Sequence, residues 1–198
     1  MRETPPDYQN ISGRTHPSLG YPLRRMFGLE TDRLLIRPWN ADDRTTFHQL
    51  TCDPAVMQYV HGGLPYSEAE LDEWFSRQAR QLAEHDVCMG AVIEKASGRL
   101  IGIAGTQPLG TTGNLEIGWI FARESWGRGY ATEAGAAAMR HVLETLGHKR
   151  VVAIIAPDNE PSKRVAARLG MSYEARYTGV QLGYRKPEIV VDLYFRER

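Results

Sequence analysis

The chain has 198 residues, 24 basic and 24 acidic for a formal net charge of zero, and 42% hydrophobic residues; that length supports one well-buried core and is short for two ordinary domains. Its Lys and Arg residues are scattered rather than blocked, so a polyanion-binding footprint is missing and nucleic acid is not an expected partner. Cys52 and Cys88 are far apart and lack metal-type spacing, no apolar run approaches a membrane span, and no secretory h-region opens the chain, so the expectation is a cytoplasmic protein without metal or membrane contact.

Residues 1–28 are rich in Pro, Gly and polar residues without helical or strand periodicity, and are expected to form an irregular N-terminal extension. Met26, just before the first patterned segment, is a candidate alternative start. The domain proper is expected over 29–198. LLIRPW (34–39) reads as a strand; Asn40 offers an N-cap, and Asp42 and Asp43 suit the positive end of a helix running through about Cys52. Ser67 and Glu70 have capping-box spacing ahead of the helix LDEWFSRQARQLAE. VCMGAVIEK (87–95), LIGIAGTQPL (100–109) and NLEIGWIF (114–121), joined by short turns, predict an antiparallel meander. A helix from about Gly129 to Leu146, the strand RVVAIIA (150–156), a helix from about Asn159 to Leu169 and the strands MSYEARYT and IVVDLYFR complete the chain. Gly147 and Gly170 fall where helix C-caps belong. The fold class is therefore mixed α/β (α+β), with an antiparallel first half and a strand–helix–strand crossover.

The junction FARESWGRGYATEAGAAAMR (121–140) carries the chemistry. Gly127 and Gly129 let the backbone approach a ligand closely. The amides from Trp126 to Thr132, at the start of a helix, have the character of a phosphate or pyrophosphate cradle, to which Arg128 adds a charge. Ala131, Ala134, Gly135, Ala138 and Val142 form a small-residue stripe that suits close packing on a sheet. A dinucleotide fingerprint is one candidate, with Thr132 at its third position and Asp158 as the acidic residue; the preceding antiparallel meander is the wrong context for it. Coenzyme A is the other.

EIGWIFARESWGRGYATEA, then NEPSKRVAARLGM, and the opening ETDRLLIRPWNADD together resemble the GCN5-related N-acetyltransferases (GNAT), within them the RimJ/RimL-type branch that acetylates ribosomal-protein N-termini and assorted small amines. The likeness spans roughly residues 29–198. It implies a mostly antiparallel sheet flanked by helices, with a V-shaped opening between the strands at 114–121 and 150–156 that admits the pantetheine arm of acetyl-CoA. Backbone groups of Ile117, Trp119 and Phe121 would pair with that arm, the amide near Ile117 acting as oxyanion donor. Trp126, Gly127, Arg128, Gly129, Tyr130, Ala131 and Thr132 would hold the pyrophosphate. Asn159 and Ser162 match an Asn-x-x-Ser near the pantetheine and the sulfur. The chain departs from the family pattern at Glu124, where Gln or Arg is usual, and at Ala166, where many members carry a tyrosine acid. Ser162 or a water is then the candidate acid.

Acetylating an amine requires a base for the ammonium proton and an acid for the departing thiolate. Glu116, the one charge on an otherwise apolar strand and on one face with Gly118 and Ile120, is the candidate base; an ordinary strand-start ion pair is the competing reading. For Ser162 a helix cap is favoured over the acid role, and Asn159 is either a cap or a cofactor contact. His61 and His85 are candidate substrate-side bases that read more readily as surface histidines, and Cys88 lacks a readable His partner for a covalent route. Tyr59, His61, Trp74 and residues 177–184 are candidate acceptor lining, Trp74 and Tyr59 more readily as core. The expected activity is transfer from acetyl-CoA to a primary amine, a peptide N-terminus or a small molecule, in a ternary complex; a homodimer is compatible. A non-catalytic acyl-CoA sensor and a dinucleotide enzyme are the alternatives.

Overall fold

The computed structural model describes residues 28–184 and 188–198, so the extension expected over 1–28 lies outside the described residues apart from Gly28. One eight-stranded sheet runs in the order β1-β2-β3-β4-β5-β6-β8-β7. Its strands are β1 (Leu29–Glu30), β2 (Leu34–Arg37), β3 (Met89–Glu94), β4 (Leu100–Pro108), β5 (Leu115–Phe121), β6 (Arg150–Ile155), β7 (Ser172–Thr178) and β8 (Val190–Glu197). Every neighbouring pair is antiparallel except β5 and β6. The helices are α1 (Asp43–Thr51), α2 (Pro54–Met57), α3 (Glu68–His85), α4 (Tyr130–Arg140) and α5 (Glu160–Arg168). No helix among the described residues is long and apolar enough to cross a membrane.

Period-two alternation in the meander sends successive side chains to opposite faces, and each face gathers its own helices. On one, Met89 and Ile103 pack with Phe47 and Leu50 of α1 and Leu71 and Trp74 of α3, with Ile120 against them. On the other, Ala104 and Phe121 pack with Tyr130, Ala134 and Ala137 of α4. The small stripe does what its composition predicts. A Cβ added to Gly135 would lie 2.8 Å from Leu169 Cδ1 and 3.4 Å from the Trp119 ring, so glycine lets α4 approach both sheet and α5.

Local signals hold in some places and shift in others. Ser67 and Glu70 make the reciprocal capping box that starts α3. Ahead of α1 the cap residue is Asp42, not Asn40, and its side chain caps nothing. Asn40 still contributes, because its Oδ1 accepts the Asp43 amide at 3.1 Å while Asp43 accepts the Asn40 amide at 2.9 Å. Arg37 then grips Asp43 through two bonds of 2.6 and 2.8 Å. The predicted helix to Leu146 ends as α-helix at Arg140 and continues as a π turn over His141–Thr145. Gly147 stops it with φ of 75°. Helix α2, four residues long, is too short to leave a periodic trace.

Candidate active site

The site begins where the sheet comes apart. β5 and β6 meet at one register pair, Glu116 with Val152. The bonds Leu109 N–H to Asn114 and Ala122 N–H to Ile101, both 2.9 Å, fix the phase of the β4–β5 ladder. Because such pairs recur every second residue, Glu116, Gly118 and Ile120 turn their backbone groups to β4, and Leu115, Ile117, Trp119 and Phe121 turn theirs to β6. A parallel pair centred on Glu116 and Val152 is made by the residues flanking Glu116, so the Ile117 amide is directed at the Val152 carbonyl. This corrects the oxyanion assignment. The Ile117 amide closes the strand pair, and the first amide beyond it on that edge is that of Trp119. The Phe121 carbonyl also has a partner, accepting the Trp126 indole N–H at 2.7 Å. The Ile117 carbonyl, both Trp119 groups and the Phe121 amide thus border the opening with no strand to pair with.

The glycine turn lies at the end of β5. Gly127 and Gly129 have φ of 74° and 80°, left-handed angles that glycine adopts without a Cβ penalty, and α4 begins at Tyr130. The amides of Gly127, Arg128 and Gly129 have no hydrogen-bond partner among the described residues, and those of Tyr130, Ala131 and Thr132 open the helix without an intrahelical acceptor. Trp126 departs from the expected cradle, since its amide donates to the Arg123 carbonyl at 3.2 Å. Its half-exposed indole remains beside the turn. Glu124 is turned away toward Arg99, an exposed pair at 3.7 Å.

A brace missed in the sequence holds the turn in place. Arg33 donates to the Arg128 carbonyl at 3.0 Å, lies over the Tyr130 ring and pairs with Glu133 at 2.5 Å, where Thr31 also donates. Burial works to raise the Glu133 carboxyl, but the bonds from Thr31 and Arg33 outweigh it and hold it below the usual carboxylate range. The Tyr130 hydroxyl donates to Glu94 at 2.5 Å, and Arg128 stands 3.6 Å from the same carboxylate. These partners are distant in sequence, so no local signal announces them.

Glu116 is only 8% exposed, on the face occupied by α3. Burial pushes its carboxyl up to about 7, against the opposing pull of hydrogen bonds from Gln107, whose Nε2 lies at 3.4 Å, and Tyr184. Tyr184, from the segment after β7, is itself raised by burial and by the Glu116 charge. A carboxyl poised near neutrality beside two polar hydrogens, at the root of the strand opening, has the character of a general base.

At the start of α5 the assignments separate. Asn159 is the cap: its Oδ1 accepts the Ser162 amide at 3.1 Å. Ser162 therefore receives the cap rather than supplying it, contrary to the favoured sequence reading, and its half-buried hydroxyl has no partner among the described residues. Ala166 is fully buried. Cys88 is 1% exposed and burial pushes its thiol up to about 12, which removes it as a nucleophile near neutral pH. His85 is largely exposed. His61 is structurally engaged, stacked on Tyr66 at 4.1 Å, 3.2 Å from Glu70 and 3.1 Å from the Leu64 carbonyl. Trp74 is core, whereas Tyr59, expected in the core, is 38% exposed. Asp158 is exposed, and a sheet with one parallel pair is not the parallel sheet that a dinucleotide fold requires.

The comparisons agree with this architecture. An uncharacterized Bacillus subtilis protein, YkkB, is 34% identical over 148 residues, covering 73% of this chain and 85% of that protein. A crystal structure of an acetyltransferase from Agrobacterium tumefaciens superposes with a TM-score of 0.73 at 25% identity, covering 94% of this chain and 100% of the other. RimL, a ribosomal L7/L12 α-N-protein acetyltransferase solved in complex with coenzyme A, has a TM-score of 0.69 at 18% identity, covering 86% and 97%; at that identity it supports the fold alone. The acetyltransferase (GNAT) domain profile matches residues 33–172. The splayed β5–β6 junction, the glycine turn at the start of α4 and this match together establish that the chain is an acetyltransferase of the GNAT family.

Proposed function

We propose that residues 29–198 transfer an acetyl group from acetyl-CoA to a primary amine by direct attack in a ternary complex. The observation that carries this reading is Glu116, a buried carboxyl held near neutrality beside the one place where the sheet opens. The residues present fit acetyl-CoA. The unpaired backbone groups of Ile117, Trp119 and Phe121 suit a pantetheine arm laid along the strand edge, and the amides of residues 127–132 suit its pyrophosphate. Acetyl-CoA supplies the activated acyl carbon, to which the amine nitrogen bonds as the carbon–sulfur bond breaks.

The remaining work belongs to the chain. Glu116 takes the proton that the amine must lose. The Trp119 amide is the candidate donor to negative charge on the acyl oxygen, the role expected from the sequence near Ile117. The unpartnered Ser162 hydroxyl is the candidate donor to the thiolate, Ala166 leaving no tyrosine at the family's position. No covalent acetyl-enzyme is needed, since the Cys88 thiol is buried and protonated. The test is thiol release from acetyl-CoA with a panel of peptide N-termini and small amines. Release that depends on both acetyl-CoA and an amine is expected; tight acetyl-CoA binding without release for any amine would identify a sensor instead.

A further inference from the structure

Helix α3 lies over the sheet face that carries Glu116, because its Leu71 and Trp74 pack with Met89 and Ile103, against Ile120 of β5. Its two flanks differ. Phe75, Gln78, Ala79 and Leu82 border a cavity whose other wall includes Pro38 and Trp39, so this flank looks toward the β2 edge. At 3.6 residues per turn, Glu70, Arg77 and Gln81 project from the opposite flank, on the side of β5 and the opening. One contact and one electrostatic effect agree with that direction. Glu70 holds His61, which stacks on Tyr66. The charge of Arg77 works against the burial that raises the Tyr66 and Tyr184 phenols, and Tyr184 faces the Glu116 carboxyl.

The arginines of the two flanks contrast. Arg44, on the β2 side, pairs with Glu68 at 2.6 Å and Asp72 at 2.7 Å. Arg77 is half-buried and has no carboxylate partner among the described residues. One turn on, the buried Gln81 Oε1 also lacks a hydrogen-bond partner. A planar guanidinium with five donors, on the flank of α3 that looks toward the opening, is built to take two oxygens of one anion.

We propose that the acceptor is an amine that also carries a carboxylate, with Arg77 binding the carboxylate while Glu116 takes the proton from the nitrogen. This rests on the acetyl-transfer reading and narrows it from primary amines at large to amino-acid-like molecules. The amide or decarboxylated analogue of such an acceptor leaves Arg77 without its ion pair.

The experiment measures thiol release from acetyl-CoA with α-, β- and γ-amino acids, each against its own amide and its decarboxylated amine. Wild type, Arg77→Lys and Arg77→Met are compared. In the wild type at least one amino acid should exceed its amide in kcat/KM by about tenfold or more, the scale of a bidentate charged contact. Arg77→Met should bring that ratio close to one, mainly by raising KM, and Arg77→Lys should recover part of it. The KM for acetyl-CoA should stay within about threefold and its thermal shift should persist, which also reports that the variants fold. Equal kcat/KM for acids and amides in the wild type would overturn the carboxylate proposal and leave acetyl transfer standing, as would an unchanged ratio in Arg77→Met. No thiol release with any amine would overturn both.

Discussion

Glu116 places an acid where a sheet ordinarily buries only apolar side chains, and the cost and the use of that choice are linked. Its pKa is raised to about 7 by burial, well above the unperturbed value of about 4.3. The folded state therefore holds the proton more tightly than the unfolded chain. The associated stability is fully present below about pH 4 and is lost as pH rises through 7, by on the order of 3 kcal/mol. Glu116→Gln is accordingly expected to melt higher than wild type at pH 8.5, by about 5 to 10 °C, and to converge with it near pH 4. Thermal melts across that range check this; a pH-independent gap would contradict the buried-acid account. The same variant should lose about a hundredfold or more in kcat/KM while binding acetyl-CoA normally. The wild-type kcat/KM should rise with pH through an inflection near 7 that the variant lacks. Glu116 was legible in the sequence as a lone charge on an apolar strand. Tyr184 was read only as part of a candidate acceptor lining, and Gln107 and Arg77 were not singled out, because their roles come from cross-strand and helix-to-sheet contacts that no local spacing encodes.

Among the elements, the turn from β5 into α4 is the one whose backbone is itself functional. Gly129→Ala would force a left-handed angle on an L residue, at a strain of roughly 1–2 kcal/mol. The Cβ would otherwise meet only the Arg33 guanidinium at 3.6 Å. Gly147, with φ of 75° and no atom within 4 Å of its would-be Cβ, offers the same strain at the far end of α4, away from the site. Both alanine variants should lose similar stability, and only Gly129→Ala should weaken acetyl-CoA binding, by about tenfold; calorimetric titration separates them. Equal affinities for the two variants would remove the turn from the binding site. The GRG spacing and the small stripe of α4 were readable because glycine and alanine carry their conformational meaning locally. The Arg33–Glu133 brace, the shift of the α1 cap from Asn40 to Asp42 and the π turn that ends α4 depend on neighbours the sequence does not display side by side.

For the whole molecule, the consequential feature is one parallel contact in an otherwise antiparallel sheet. β6 follows α4 and must return beside β5 in the same direction, whereas β8 inserts between β6 and β7 and draws β6 toward its antiparallel partner. β6 pairs with β8 at six positions and with β5 at one, so the sheet opens where its pairing is weakest. The meander and the crossover were visible as alternation and helical periodicity. The placement of β8 was not, since the last two strands carry no turn chemistry that specifies their order. The opening makes the central claim testable by ligand choice alone. Thermal denaturation in CoA, acetyl-CoA, NAD and NADP, each at about a hundred times the dissociation constant found for CoA, is the most direct measurement. CoA and acetyl-CoA should stabilise by about 2.7 kcal/mol, a rise of roughly 5 to 10 °C, while NAD and NADP leave the melt unchanged. No shift with either form of coenzyme A, or a shift with a nicotinamide dinucleotide alone, would contradict the account.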